Sequence, residues 1–281
     1  MTNRQIIKRY HAVPTIEGAG VKLFRIFSQP DVKEVDPFLL LDFFDSDNPE
    51  DFRKGFPWHP HRGIETITYL LKGEIEHQDS LGNRGVIKPG GCQWMTAGRS
   101  IIHQEMPAEK NRILGTQLWL NLPREHKMTE PAYRDITAED VEVLEKDDYT
   151  ARIIAGTFEG ITGPVKGTYV SPYYFDISIH PGGQFSAYIP AEETVFLFLL
   201  EGGLEIPGGK SARVPEDRGL LLSYADDLVI QSESGTRILL IAGKPLREPV
   251  AWGGPIVMNT QDELRTAFRQ IREGTFIEQS N

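Results

Sequence analysis

Apolar residues in this chain fall in short runs rich in β-branched and aromatic side chains, each closed off by Gly, Pro, Asn or Asp. In the first half the runs are Val21 to Phe27, Pro37 to Asp42, Ile64 to Leu71, Glu74 to Gln78, Gln93 to Thr96, Ile101 to Glu105 and the longer Ile113 to Leu122. In the second half they are Tyr173 to Ile179, Thr194 to Leu200, Gly219 to Leu222, Leu228 to Gln231 and Arg237 to Ala242. Runs of this length and content, punctuated by turn residues, predict strands. Only Thr260 to Glu273 breaks the rhythm. There Leu264, Phe268 and Ile271 stand at helical spacing after a Thr-Gln-Asp-Glu start that predicts a capping box, hence a covering helix. The charged stretch Glu139 to Asp148 suits a helical turn or a strand equally well.

The two halves repeat. A shift of 128 positions sets Glu65-Thr66 on Glu193-Thr194, Leu71 on Leu199, Gly91 on Gly219, Trp94 on Leu222 and Ile101-Ile102 on Val229-Ile230. Such self-similarity predicts duplication of one small β-barrel, with one unit over residues 1–135 and another, carrying the helix, over 136–281. The 281 residues are enough for two such cores.

Composition narrows the function. With 30 Lys and Arg against 40 Asp and Glu, the net charge is −10, and the resulting field repels phosphate backbones, which argues against direct nucleic-acid binding. No apolar run approaches the roughly 20 residues that span a bilayer, and the N-terminus shows no apolar secretion signal. A single cysteine, Cys92, cannot form an intramolecular disulfide and fits a reducing, cytoplasmic setting. It also moves the search for metal ligands to histidine and carboxylate.

Two stretches concentrate that chemistry: Phe56-Pro-Trp-His59-Pro-His61-Arg-Gly63 and Ile102-His103-Gln104-Glu105. Residues i and i+2 of an extended chain share a face, so His59 pairs with His61 and His103 with Glu105. Pro60 favours extended backbone at His59. Three imidazoles and a carboxylate suit Fe(II), Mn, Ni, Cu or Zn, and four protein donors on an octahedral ion leave two positions for exogenous ligands, an arrangement for catalysis or sensing. His77 has the parity to face the barrel interior, either as a hydrogen-bonded wall residue or as part of the pocket. Phe56 and Trp58 are placed at the pocket rim and Trp94 in the core.

The segments Gly55 to Gly63, Glu74 to Gly82 and Gln93 to Pro107 resemble the pirin family of the cupin superfamily, and the likeness runs through most of the chain. It implies an all-β bicupin: two cupin-type, jelly-roll barrels packed together with a short C-terminal helix, the N-terminal barrel holding one divalent metal. Fe(II) is the expected ion, with Ni, Cu, Co, Mn or Zn as alternatives, and the implied ligands are His59, His61, His103 and Glu105. Trp58 stands where many pirins carry a small or acidic residue, and Ser100 where Gly is common. The resemblance further implies flavonol 2,4-dioxygenase (quercetinase) activity, in which a flavonol and O2 give a depside and CO; for that reaction Glu105 is the nearest candidate base, its coordination loosening when substrate binds. For some members it implies instead an iron-containing regulatory protein that acts, through its redox state, on a protein partner.

Overall fold

In the computed structural model, residues 3–108 and 112–277 are described. The architecture is all-β, with strands throughout and a single long helix at Gln261–Glu273. The chain makes two compact units, and neither is a continuous half. One comprises Pro14–Val32, Phe38–Ala138 and the chain from Leu246 onward; the other comprises the chain up to Val13, Lys33–Pro37 and Glu139–Pro245. The expected division at 135/136 therefore needs correcting at both ends. Strand Ile6–Tyr10 pairs antiparallel with Gly219–Leu222, and the C-terminal helix packs its Leu264 and Ala267 among Ala251, Ile256, Met258 and Phe276. A strand pairing satisfied far along the chain, and the packing of the helix cluster on Ile102, override sequence proximity here.

The first unit is a jelly roll of two antiparallel sheets. A seven-stranded sheet runs in the order Ala132–Ile136, Cys92–Thr96, Ile64–Lys72, Ile113–Asn121, Phe38–Ser46, Val21–Phe27 and Val13–Glu17. A four-stranded sheet runs in the order Phe56–His61, Ile101–Pro107, Ile75–Asp79 and Arg84–Ile87. Apolar residues pack its interior in two clusters, one around Phe44, Phe52 and Leu70, the other around Leu39, Ile64, Met95 and Ile101. Each such side chain fully withdrawn from water contributes about 2 kcal/mol.

The second unit is a ten-stranded antiparallel network built on Thr194–Glu205 and Thr236–Gly243. The ambiguous charged stretch is a strand, Glu142–Glu145, because it pairs in register with Tyr149–Ala155. Its interior is filled: Tyr149, Phe158, Phe175 and Phe185 pack edge-on or tilted on one another within one apolar cluster. Ile189, at the position corresponding to His61, is part of that core. Gln231, corresponding to His103, is exposed and bonded to Gln184. The second barrel carries other residues where His61 and His103 stand, and keeps Glu233 opposite Glu105 in that shift.

The helix begins as the sequence predicts. Thr260 Oγ1 accepts from the Glu263 amide, Glu263 Oε2 accepts from the Thr260 amide at 2.8 Å, and Gly274 closes the last turn at φ 72°. The C-terminal segment is tied to the first unit by the two residues that follow His61. Arg62 donates to Gln270 Oε1 at 2.7 Å and lies 4.4 Å over the Phe276 ring. Gly63 has φ 77°, and a Cβ there would meet the Val257 carbonyl at 2.0 Å. Buried Lys127 completes the joint by donating to the carbonyls of Gly63 and Val257 and to Asn121 Oδ1. Lys127→Met leaves three buried acceptors without their donor, so the first unit should lose about 3 kcal/mol. A urea titration followed by tryptophan fluorescence checks this; an unchanged midpoint would remove the joint from the account.

Candidate metal centre

Three imidazoles converge on the inner face of the four-stranded sheet. His103 pairs directly with His59 across adjacent strands, and His61 pairs with Ile101, so the period-two spacing on each strand brings His59, His61 and His103 to one place. Their ring centroids are 4.4–5.0 Å apart, and one nitrogen from each lies within 4.8 Å of the others.

Local hydrogen bonds choose which nitrogen faces inward. His59 Nδ1 lies 2.9 Å from the Pro57 carbonyl and His61 Nδ1 lies 3.1 Å from the Pro255 carbonyl. A carbonyl only accepts, so each Nδ1 carries the proton and each Nε2 keeps a free lone pair. His103 Nδ1 faces His77 Nδ1 at 3.5 Å, and its Nε2 is buried with no hydrogen-bond partner. Burial, reinforced by the neighbouring imidazoles, holds His61 and His103 well below the usual histidine range, and so uncharged. Uncharged, convergent lone pairs on an orphaned buried atom fit a divalent transition metal.

Glu105 stands apart from this set. The register shifts between His103 and Glu105, where Pro57 and Trp58 together oppose the single Gln104. Glu105 Oε1 lies 2.7 Å from Thr68 Oγ1, which is also 2.8 Å from Gln117 Oε1. One hydroxyl hydrogen cannot serve two acceptors. Thr68 donates to Glu105, and the Gln117 amide is satisfied with its nitrogen turned toward Thr68.

That bulge decides the place of Phe56. It turns Phe56 onto the face of Glu105, its direct partner, and Phe56 lines the cavity in front of the histidines. Trp58 is turned outward, is 51 % exposed and lines no part of the cavity, which corrects its expected place at the rim. His77 takes the wall position and not the pocket one: it is buried behind His103, its Nδ1 accepts from Gln93 Nε2 at 2.8 Å, it stacks on Tyr133 at 4.8 Å and it does not reach the cavity. Its other nitrogen points to Asp79 Oδ2 at 3.6 Å. Burial raises Asp79, yet the nearby His77 ring and the hydrogen bonds from Asn83 and the Leu81 amide outweigh it and keep the carboxyl below its ordinary range.

The cavity has a volume of about 670 Å³. One wall is aromatic: Trp119 meets His61 edge-on at 5.0 Å and lies 5.8 Å from Trp252. Trp252 and Pro255 come from the C-terminal segment, a Trp-Gly-Gly-Pro turn whose isolated tryptophan was the one sequence signal for it. Gln117, Asp42, Arg25 and Glu17 line the cavity as well. Among the described residues, no helix is long and apolar enough to cross a membrane.

Comparison with known proteins gives the family. Residues 20–120 match the pirin family and residues 174–277 the pirin C-terminal cupin domain. The chain is 39 % identical to human pirin over 265 residues, covering 92 % of this chain and 90 % of the relative. It is 39 % identical to a pirin-like protein of Caulobacter vibrioides over 279 residues, covering 98 % and 100 %. A crystal structure of quercetin 2,3-dioxygenase from Acinetobacter baumannii superposes with a TM-score of 0.88 at 31 % identity, over 98 % of this chain and 99 % of that one. With both units matched and the likeness running nearly end to end, the chain belongs to the pirin family, with two cupin domains.

Proposed function

We propose that the protein is a metal-dependent dioxygenase that opens a flavonol such as quercetin with O2, releasing CO. The observation that carries this reading is the convergence of three imidazoles, two of them lining an aromatic-walled cavity, with a carboxylate on the same sheet. The likeness to the Acinetobacter baumannii quercetin 2,3-dioxygenase supports it. His59, His61 and His103 would hold the metal through Nε2, with Fe(II) the first ion to load and Ni, Cu, Co, Mn and Zn as comparisons. When bound, the metal supplies a Lewis acid that favours the ionised form of the substrate 3-hydroxyl.

The chain's own residues do the rest. Trp119 and Trp252 offer flat faces to the fused rings, and Phe56 closes the cavity beside them. Glu105 takes the 3-hydroxyl proton and returns it to the carboxylate of the opened product. It also serves as a fourth donor when it is not acting as a base. Thr68 governs that exchange, because its hydrogen bond holds the carboxylate toward the cavity. Thr68→Val should lower kcat about tenfold, the effect of losing one hydrogen bond to a charged group, and Thr68→Ser should restore it. An unchanged kcat in Thr68→Val would remove Thr68 from the mechanism.

The reading is tested by oxygen uptake with quercetin on protein loaded with each metal in turn. Uptake that depends on metal and flavonol together supports it. The partner-binding alternative draws no support of its own from this site or these relatives.

A further inference from the structure

We infer that Glu17, Arg25 and Asp42 form a specificity element that reads hydroxyl groups at the end of the substrate farthest from the histidines. This rests on the flavonol reading and adds the residues that select among flavonols. The starting point is a register. Thr68 pairs with Gln117, Gln117 with Asp42, and Asp42 with Arg25, across four consecutive strands of the seven-stranded sheet. Directly opposed residues share a face, so these side chains form one row along the cavity wall.

The row has a length. Strands lie about 4.8 Å apart, so Asp42 stands about 10 Å from Thr68, and Arg25 about 14 Å. Thr68 touches Glu105 at the metal end. A three-ring molecule bridges that span, and a single ring does not.

The far end has a definite chemistry. Arg25 Nε and Nη2 donate to the two oxygens of buried Asp42, each at 2.8 Å, and Nη1 meets Glu17 Oε1 at 2.9 Å. Two carboxylates share one guanidinium, which leaves one net negative charge and several carboxylate lone pairs unused. Such a site accepts hydrogen bonds from neutral hydroxyls and repels a terminal carboxylate or phosphate. All three residues line the same cavity as Trp119 and Trp252, so the outer ring of a flavonol would lie against acceptors while its body stacks on indole.

The test measures binding of flavonols carrying two, one or no outer-ring hydroxyls, and of one carrying an outer-ring carboxylate, by quenching of tryptophan fluorescence in the full chain. In the unaltered protein, affinity should fall about tenfold from two hydroxyls to none, and the carboxylate compound should bind weakest. Glu17→Ala should flatten this order while leaving the hydroxyl-free flavonol bound as before. In turnover the variant should lose the discrimination in KM and not in kcat. Equal affinity for all the hydroxyl patterns, or full discrimination retained in both Glu17→Ala and Asp42→Asn, would overturn the assignment. Failure of every flavonol to bind the unaltered protein would overturn the flavonol reading, and this assignment with it.

Discussion

His103→Leu should weaken divalent-metal binding at least about 100-fold, more than the loss typical of an outer-shell partner, and leave the metal-free protein close to its original stability. The two halves of that expectation have separate causes. His103 supplies one of three convergent lone pairs, and two imidazoles alone do not close a site. In the metal-free protein, however, its Nε2 is a buried polar atom without a partner, so replacing the ring by an apolar group of similar size removes an unsatisfied group at the cost of only the long 3.5 Å contact to His77. Metal binding to the folded state alone stabilises by about 2.7 kcal/mol when the ion is at a hundred times its Kd. The thermal midpoint of the unaltered protein should therefore rise on adding metal, and that of His103→Leu should not. Calorimetric titration gives the affinity and thermal scans the linkage. Equal metal-induced shifts in the two proteins would place the ion elsewhere.

Glu105→Gln should reduce flavonol-dependent oxygen uptake by about 10² to 10⁴, the usual contribution of a positioned general base, with the fold unchanged. The substitution keeps the side-chain volume and an oxygen that accepts from Thr68. It removes the charge and the ability to take a proton. Since Glu105 is also proposed as a donor to the ion, metal affinity should fall too, by less than in His103→Leu, because the three imidazoles remain. Substrate affinity measured by fluorescence should change little, the aromatic wall being intact. A variant that keeps full activity would leave the proton without an acceptor in this scheme and would refute the role of Glu105.

The strands, the duplication and the histidine cluster were legible because each depends on short-range periodicity. His59 and His61, and His103 and Glu105, sit two apart on extended backbone, and their faces follow from that spacing alone. The one misplacement near them, Trp58, directly precedes His59 and so faces the other side by that same alternation. The extra residue at Pro57 and Trp58 reverses the parity of what comes before it and brings Phe56 to the cavity. No local signal in Phe-Pro-Trp-His marks the bulge.

The rest of the site depends on pairings between distant strands. Thr68, Gln117, Asp42 and Arg25 form a row only in the folded register, and a shift of one residue in any strand would break it. Trp252 and Pro255 were assigned to the second unit by chain continuity. Their true place depends on Arg62, Gly63 and Lys127, which hold the C-terminal segment against the residues just after His61. Seen this way, the Arg-Gly that follows the histidine pair is a structural clasp. It brings the Pro255 carbonyl to His61 and so fixes which nitrogen that imidazole presents.

The central claim is that these histidines arm the cavity for oxygen chemistry on a flavonol. The direct measurement is dissolved-oxygen consumption and CO release, with quercetin, by protein stripped with chelator and reloaded under anaerobic conditions with Fe(II), Ni, Cu, Co, Mn or Zn. The account predicts equal amounts of O2 consumed and CO formed with at least one of these ions, and none with the stripped protein or with His103→Leu. Absence of oxygen uptake with every ion, in protein shown by calorimetry to have bound it, would contradict the account.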